Sequence, residues 1–359
     1  MALKKKQHFV SQFLIKKFAI DQERKFVHLY NRKTDTVVNH ALIKTQAQEN
    51  YYYGNDLTFE EFLSVTEERA APVIAEILES GLIPKIGDKR YSYLLHFVML
   101  YHSRTKAQVD HTEENLNATL KALSKYDSSL QQLNLDELRL KHPEPAAFNL
   151  ACFMDDWVVT ADLHAFLLTN HTGKDFFLSD NPLITFNPFM QKRKYYWAAN
   201  SHLSKGLILL FPLSPDHYLM LIDPYSYDVK CTAENRIHVD KASDLYNINL
   251  LQSVSADKNL YYRIAQEEAY IKSLAMEGLR NKKSKLISEL VPCPGKPEAK
   301  CLFSYHLAHT LNLSFSFIRE SEEAKAYDVT KQRDHPRNQE IVDWMKQVRL
   351  KRKQDVADS

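Results

Sequence analysis

Phe176-Phe177-Leu178-Ser179-Asp180-Asn181-Pro182-Leu183-Ile184-Thr185-Phe186 is the stretch on which the fold class turns. Two short apolar, β-rich runs flank an Asp-Asn-Pro step. That step reads as a turn, because Asp and Asn side chains bond nearby backbone and proline restricts the residue before it. Runs at 207–212 and 218–222, separated by Ser214-Pro215-Asp216, repeat the β texture.

Upstream the texture is helical. A helix is expected from about Phe59, with Thr58 and Glu61 in capping-box spacing and apolar Phe62, Leu63, Val65, Ala70, Val73, Ile74 and Ile77. Pro72 should kink or restart it, because proline removes one backbone bond. Residues 91–126 read as one long helix, apolar at Leu94, Leu95, Val98 and Met99, polar at Asp110, Glu113, Glu114 and Asn117. A third helix is expected over 145–169, opening at Pro143-Glu144-Pro145. Residues 25–38 read as a β-hairpin.

Downstream, a short helix at 241–254, a strand at 260–264 and a helix at 265–290 are expected. A Pro/Gly stretch at 291–297 reads as a linker, followed by a β-like pair at 301–307 and 311–318 and a charged tail. Helices cluster in the middle and strands follow without βα alternation. The expected class is α+β, a helical central region packed on a mostly antiparallel β-region, with a main unit at 1–290 and a C-terminal unit at 298–359.

The bulk numbers narrow the function. At 359 residues, 44% hydrophobic and 26% charged, the chain has an ordinary globular composition. Only 7 glycines argue against Gly-rich phosphate loops, and a net charge of +2 gives no global pull toward nucleic acid, so any such partner must be met by local patches. Cys152, Cys231, Cys293 and Cys301 lack disulfide-framework spacing, the basic N-terminus has no apolar core behind it, and no apolar run nears the ~20 residues of a membrane helix. A cytoplasmic protein without membrane contact is expected. Phosphate-loop, nucleophile-elbow and His-Glu-x-x-His motifs are absent.

The first twenty residues contain Gln7-His8-Phe9-Val10-Ser11-Gln12-Phe13-Leu14-Ile15-Lys16-Lys17-Phe18, a polar set inside an apolar stretch. Buried polar groups need partners, since each unpaired one costs about 1–3 kcal/mol. This segment resembles the opening of a bacterial family known only as a domain of unknown function, whose pattern is Lys/Gln-His-x-Val-Pro-Gln-x-x-Leu-x-x-Phe. Here Ser11 stands in place of the proline. Further segments resemble the family in order: Glu49 before Tyr51-Tyr52-Tyr53, Glu67-Glu68-Arg69-Ala70-Ala71-Pro72, His102-Ser103-Arg104-Thr105, Ser179-Asp180-Asn181-Pro182 and Phe211-Pro212-Leu213-Ser214-Pro215. Asn247 and Asn249 sit where the family has a late polar helix. The resemblance covers about residues 4–265. Through the family's occurrence near mobile elements, it implies a nuclease or defence role.

On these positions a catalytic set of His8, Glu49, Glu68 and Asp180 is expected, with Gln12, His102, Arg104 and Asn181 contacting substrate. Histidine and carboxylates can together supply a general base and anchor a divalent metal for phosphodiester hydrolysis, and Arg104 can clamp phosphate. The metal's identity is unknown. The residues equally support a non-catalytic ligand- or protein-binding module: His8 and Gln12 as a brace four residues apart on one helical face, Asp180-Asn181 as turn formers, and Arg104 bridged to Glu67 or Glu68. Cys293, Cys301, His306 and His309 have zinc-ligand composition, but the Cys-x7-Cys spacing is longer than that of structural zinc sites. Asp155, Asp156 and Asp162 read as one helix, with Asp155 and Asp162 too far apart for one ion. The Glu298-Ala299-Lys300 and Glu323-Ala324-Lys325 triplets loosely resemble a nuclease Glu-x-Lys. The basic cluster at 346–353 is placed to touch phosphates.

Overall fold

The computed structural model describes residues 5–132, 134, 139–195, 201–281, 286–293, 296–306, 311–329, 336–344 and 346–347, with backbone alone at 128, 131 and 286–306. In chain order, β1 (Lys6–His8) and the short α1 (Gln12–Ile15) lead into β2 (Phe26–Asn31), β3 (Thr36–Leu42) and β4 (Gln48–Asn50). The helices α2 (Thr58–Ser80), α3 (Lys89–Met99), α4 (Lys106–Leu123), α5 (Ser128–Gln131) and α6 (Pro145–Phe153) follow. Next come β5 (His164–Asn170), β6 (Leu178–Ser179), β7 (Ile184–Phe186), α7 (Pro188–Lys192), β8 (Ile208–Ser214), β9 (His217–Ile222), β10 (Tyr227–Val229) and β11 (Arg236–Val239). The chain continues through α8 (Ala242–Ser255), β12 (Asn259–Tyr262), α9 (Glu268–Asn281), β13 (Leu286–Cys293), β14 (Lys296–His306), β15 (Ile318–Glu320) and α10 (Glu322–Lys325).

The class is α+β. A five-stranded sheet runs β11-β5-β9-β8-β7, antiparallel except where β11 meets β5, and a four-stranded antiparallel sheet runs β3-β2-β12-β6. The Ser179-Asp180-Asn181-Pro182 step carries the chain from β6 in the smaller sheet to β7 in the larger one. Its turn chemistry joins two sheets rather than two strands of a hairpin.

Side-chain alternation explains the cores. On the large sheet Leu167, Leu209, Phe211, Leu219 and Leu221 face the core built by α2, α3 and the N-terminal Val10, Leu14 and Phe18. Their neighbours Phe166, Leu168, Leu210, Tyr218 and Met220 face Leu245, Ile248 and Leu251 of α8, with Phe315 and Phe317. Both faces are covered, so these strands are apolar throughout. Helices α8 and α9 cover the smaller sheet. A Cβ at Gly278 would collide with Ser253, so glycine permits their close approach. No described helix is long and apolar enough to cross a membrane.

Several expected elements differ. Helix α2 runs unbroken through Pro72, whose position faces solvent, where the carbonyl left without a partner can be hydrated. Thr58 does not cap α2 with its side chain. Asp56 instead accepts from the Thr58 amide (2.9 Å) and hydroxyl (2.7 Å). The long helix expected at 91–126 is broken at 103–105 into α3 and α4. The third helix ends at Phe153, and His164–Asn170 is a strand, its two-sided burial having removed the period-2 signal. Residues 291–293 end β13 and 296–297 begin β14, strands that pair antiparallel, and 318–320 pairs with β10 rather than with β14. Beyond residue 298, Phe315, Phe317 and Ala324 pack into the second core.

Candidate functional site

The break between α3 and α4 builds the first polar centre. Ser103 Oγ bonds the Leu100 carbonyl (3.1 Å), Asn149 Nδ2 donates to the Ser103 carbonyl (2.6 Å), and Thr105 is extended (φ −81°, ψ 154°) ahead of α4. This turns Arg104 inward, where its side chain is 2% exposed. Its guanidinium donates to Glu67 Oε1 (2.9 Å) and to the His8 carbonyl (2.9 Å), and it lies over the Tyr101 ring. Ser11 Oγ donates to Glu67 Oε2 (2.8 Å), and the Ser11 amide donates to Tyr101 Oη (3.2 Å). Buried Gln7 accepts from the Tyr53 amide (2.6 Å) and donates to the Gly54 carbonyl (3.2 Å). The N-terminal segment is thereby bolted to α2 and to the α3–α4 break.

His8 is part of this frame. Its Nε2 lies 2.9 Å from Gln12 Nε2, and its ring also bonds the Lys44 carbonyl. The Nδ1–H tautomer satisfies both contacts, with Nε2 accepting. Burial lowers its pKa, the Lys44 bond opposing, so the ring is neutral at pH 7.

The Ser-Asp-Asn-Pro turn is saturated in the same way. Asp180 accepts the amides of Asp257 (2.8 Å), Lys258 (2.9 Å) and Asn259 (3.0 Å). Burial pushes its pKa up while these amides pull it down. Asn181 accepts from Thr105 Oγ1 (2.7 Å) and donates to the Ser255 carbonyl (3.0 Å), tying the helical region to α8.

The members of the expected catalytic set bond to different partners. Glu68 is exposed, bonded to Ser64 on its own helix (3.4 Å), while Glu67 takes the inward position. Glu49 makes an exposed pair with Lys106 (3.0 Å). His8, Glu68 and Asp180 share no hydrogen-bond partner among the described residues.

His102 belongs to a second centre. It sits in a 3-10 turn at the end of α3, and its ring lies 4.2 Å from that of His202, centroid to centroid, at 67°. Asp156 opens the 3-10 helix Asp156–Thr160. One ligand atom from each of His102, Asp156 and His202 falls within 4.8 Å of the others. His202 is 7% exposed, and its Nε2 is buried with no hydrogen-bond partner. Burial lowers the pKa of His102 to about 4, and it lowers that of His202 well below the usual imidazole value, with His102 and Arg337 adding to the effect. Both rings are neutral at pH 7 and offer lone pairs. A tetrahedral ion with bonds of about 2.0–2.2 Å sets its ligand atoms roughly 3.3–3.6 Å apart, inside the 4.8 Å within which these three atoms lie. Two histidines and a carboxylate with a further position open is a donor set of catalytic metal sites.

The family described as "Protein of unknown function (DUF4238)" matches residues 6–266. The chain belongs to the DUF4238 family. No curated protein matches the chain, and neither does any solved structure. Both polar centres lie within the DUF4238 region.

Reading the DUF4238 region as sequence left Asp156 and His202 out of the site set and offered Glu67 only as one of two bridge partners for Arg104. The choice of Glu67 was detectable: it stands four residues after buried Leu63 and three before buried Ala70, and Glu68 is turned about 100° away. Asp156 belongs to a 3-10 turn rather than to a helix shared with Asp162, and Asp162 instead pairs with Arg337 (2.8 Å). His202 carries no motif, and only the fold brings it to His102, one hundred positions earlier. Side chains of Cys293, Cys301, His306 and His309, of Glu298 and Lys300, and of 348–353 lie outside the described residues. Within Glu323-Ala324-Lys325, Lys325 pairs with Glu322 in the first turn of α10.

Proposed function

We propose that this protein is a metal-dependent hydrolase whose divalent ion is held by His102, Asp156 and His202. Two observations carry the reading: His202, a second neutral imidazole and a carboxylate each offer a ligand atom within 4.8 Å of the others, and the Nε2 of His202 is buried without a hydrogen-bond partner. Such an atom costs about 1–3 kcal/mol if nothing ever occupies its lone pair. An ion bound there supplies a Lewis acid beside a substrate. The protein's own part is to hold two imidazoles and a carboxylate at fixed spacing in a half-buried setting. Nucleic acid as substrate rests on the resemblance to the family alone, as does a defence role.

A second reading is a non-catalytic binding module. It is favoured by the saturation of the signature residues, since Gln7, Asp180 and Asn181 spend their side-chain bonds on the protein itself. One assay separates the two. Purified protein is incubated with single- and double-stranded DNA, RNA and a chromogenic phosphodiester, with Mg²⁺, Mn²⁺ or Zn²⁺. The hydrolase reading expects cleavage that His202→Ala abolishes and folded His8→Ala retains. No cleavage under any of these conditions favours the binding module.

A further inference from the structure

Residues far beyond the family region reach the second centre. Arg337 is buried, its side chain 1% exposed, and all five of its guanidinium N–H groups are used. Nε and Nη2 grip the Asp162 carboxylate (2.9 and 2.8 Å), and Nη2 also donates to the Val159 carbonyl (2.9 Å). Nη1 donates to the carbonyls of His202 (3.0 Å) and Ser204 (3.1 Å), and the Arg337 amide donates to Leu203 (2.7 Å). One side chain therefore fastens the segment that carries His202 to the segment that begins at Asp156. The third segment is tied in by Tyr91, on the helix that leads to His102, whose hydroxyl donates to the Leu163 carbonyl (2.8 Å).

We infer that Arg337 is a positioning residue for the His102–Asp156–His202 centre, so that the C-terminal part of the chain completes a metal site whose ligands all lie in the family region. This rests on the metal-binding reading above. The chemistry favours arginine specifically. The residues at 201–206 form no helix or strand, so the direction of the His202 side chain is set by what holds its backbone. A planar fork can bind a carboxylate at two points and still reach three carbonyls, whereas a lysine ammonium has three donors and no fork. Groups that orient metal ligands from behind are typically worth about 10–100-fold in metal affinity.

The test uses the full chain and titrates Zn²⁺ calorimetrically, with Co²⁺ absorption reporting ligand geometry. Wild type, His202→Ala, Arg337→Lys and Ile237→Val are compared, the last a core control for general destabilisation. The expected result is binding by wild type, none by His202→Ala, about 10–100-fold weaker binding with an altered Co²⁺ spectrum for Arg337→Lys, and wild-type binding for Ile237→Val. If wild type binds and folded Arg337→Lys binds equally well with the same spectrum, the role assigned to Arg337 is overturned while the metal reading stands. If wild type binds neither ion, the metal reading itself fails. Should Arg337→Lys not fold, hydrogen exchange of wild type decides. Coupling is reciprocal, so Zn²⁺ must slow exchange of the Arg337 amide. Zn²⁺ binding that leaves that exchange rate unchanged would overturn the inference.

Discussion

Two polar centres lie within the DUF4238 region and differ in how far their side chains are paired. Around Arg104, the main contacts are internal: Glu67 meets Arg104 and Ser11, Gln7 meets the 53–54 backbone, and His8 meets Gln12 and Lys44. Around His102, a buried imidazole nitrogen is left over. A largely paired network stabilises the fold, although Arg104 Nε is itself buried without a partner, whereas an orphaned imidazole lone pair on a residue grouped with two other donors leaves capacity for a ligand. Gln7, Glu67 and Arg104 thus spend most of their side-chain bonds on the protein itself.

That contrast is open to attack first through stability. Glu67→Ala should cost about 3–5 kcal/mol in urea unfolding, because it leaves Arg104 charged, buried and without its counter-ion. The adjacent Glu68→Ala should stay within about 0.5 kcal/mol. Equal losses for the two would mean that the Arg104–Glu67 pair is not what holds the N-terminal segment.

Asp180→Asn comes next, at roughly 1–3 kcal/mol, since one amide oxygen replaces a carboxylate that accepts three backbone N–H groups. A fully stable Asp180→Asn that loses hydrolysis would return Asp180 to the catalytic set.

A pH effect of intermediate size comes from Glu267, the last residue of the 3-10 turn Ala265–Glu267 just ahead of α9. Burial pushes its carboxyl up to about 7, with neighbouring Asp175 adding to the shift and the Asp175 amide, Lys174 and Arg263 opposing it. A raised folded pKa stabilises fully below the ordinary value near 4.5, and that stability is lost as pH rises through about 7. Allowing for screening by solvent, wild type should lose about 1–2 kcal/mol relative to Glu267→Gln between pH 4.5 and 8. Parallel stability curves for the two proteins would place that carboxyl in water.

The smallest expected effect is at the exposed Lys106–Glu49 pair, where Glu49→Ala should change stability by less than about 0.5 kcal/mol. A large loss of activity there would instead mark the charged rim as a substrate contact.

Much of the fold was legible because hydrophobic texture reports burial. The 25–38 hairpin, the helix carrying Leu63 and Ile77, and the strands after residue 176 all follow from local periodicity and turn residues. Legibility failed where burial is two-sided, as in His164–Asn170, whose apolar run fits a helix and a covered strand equally well. It failed again at Ser103-Arg104-Thr105, where a tertiary demand, the pairing of Arg104 with Glu67 and the His8 carbonyl, overrides helix propensity. Motif reading located His102 but not the residues that the fold groups with it. Its partners Asp156 and His202 are set by long-range packing, which leaves no local pattern.

The central claim is that metal chemistry belongs to the centre at His202 and not to the signature histidine. Calorimetric Zn²⁺ titration of wild type, His8→Ala and His202→Ala tests it most directly. The account predicts one saturable site in wild type and in folded His8→Ala, and none in His202→Ala. Binding that survives in His202→Ala but disappears in folded His8→Ala would contradict it.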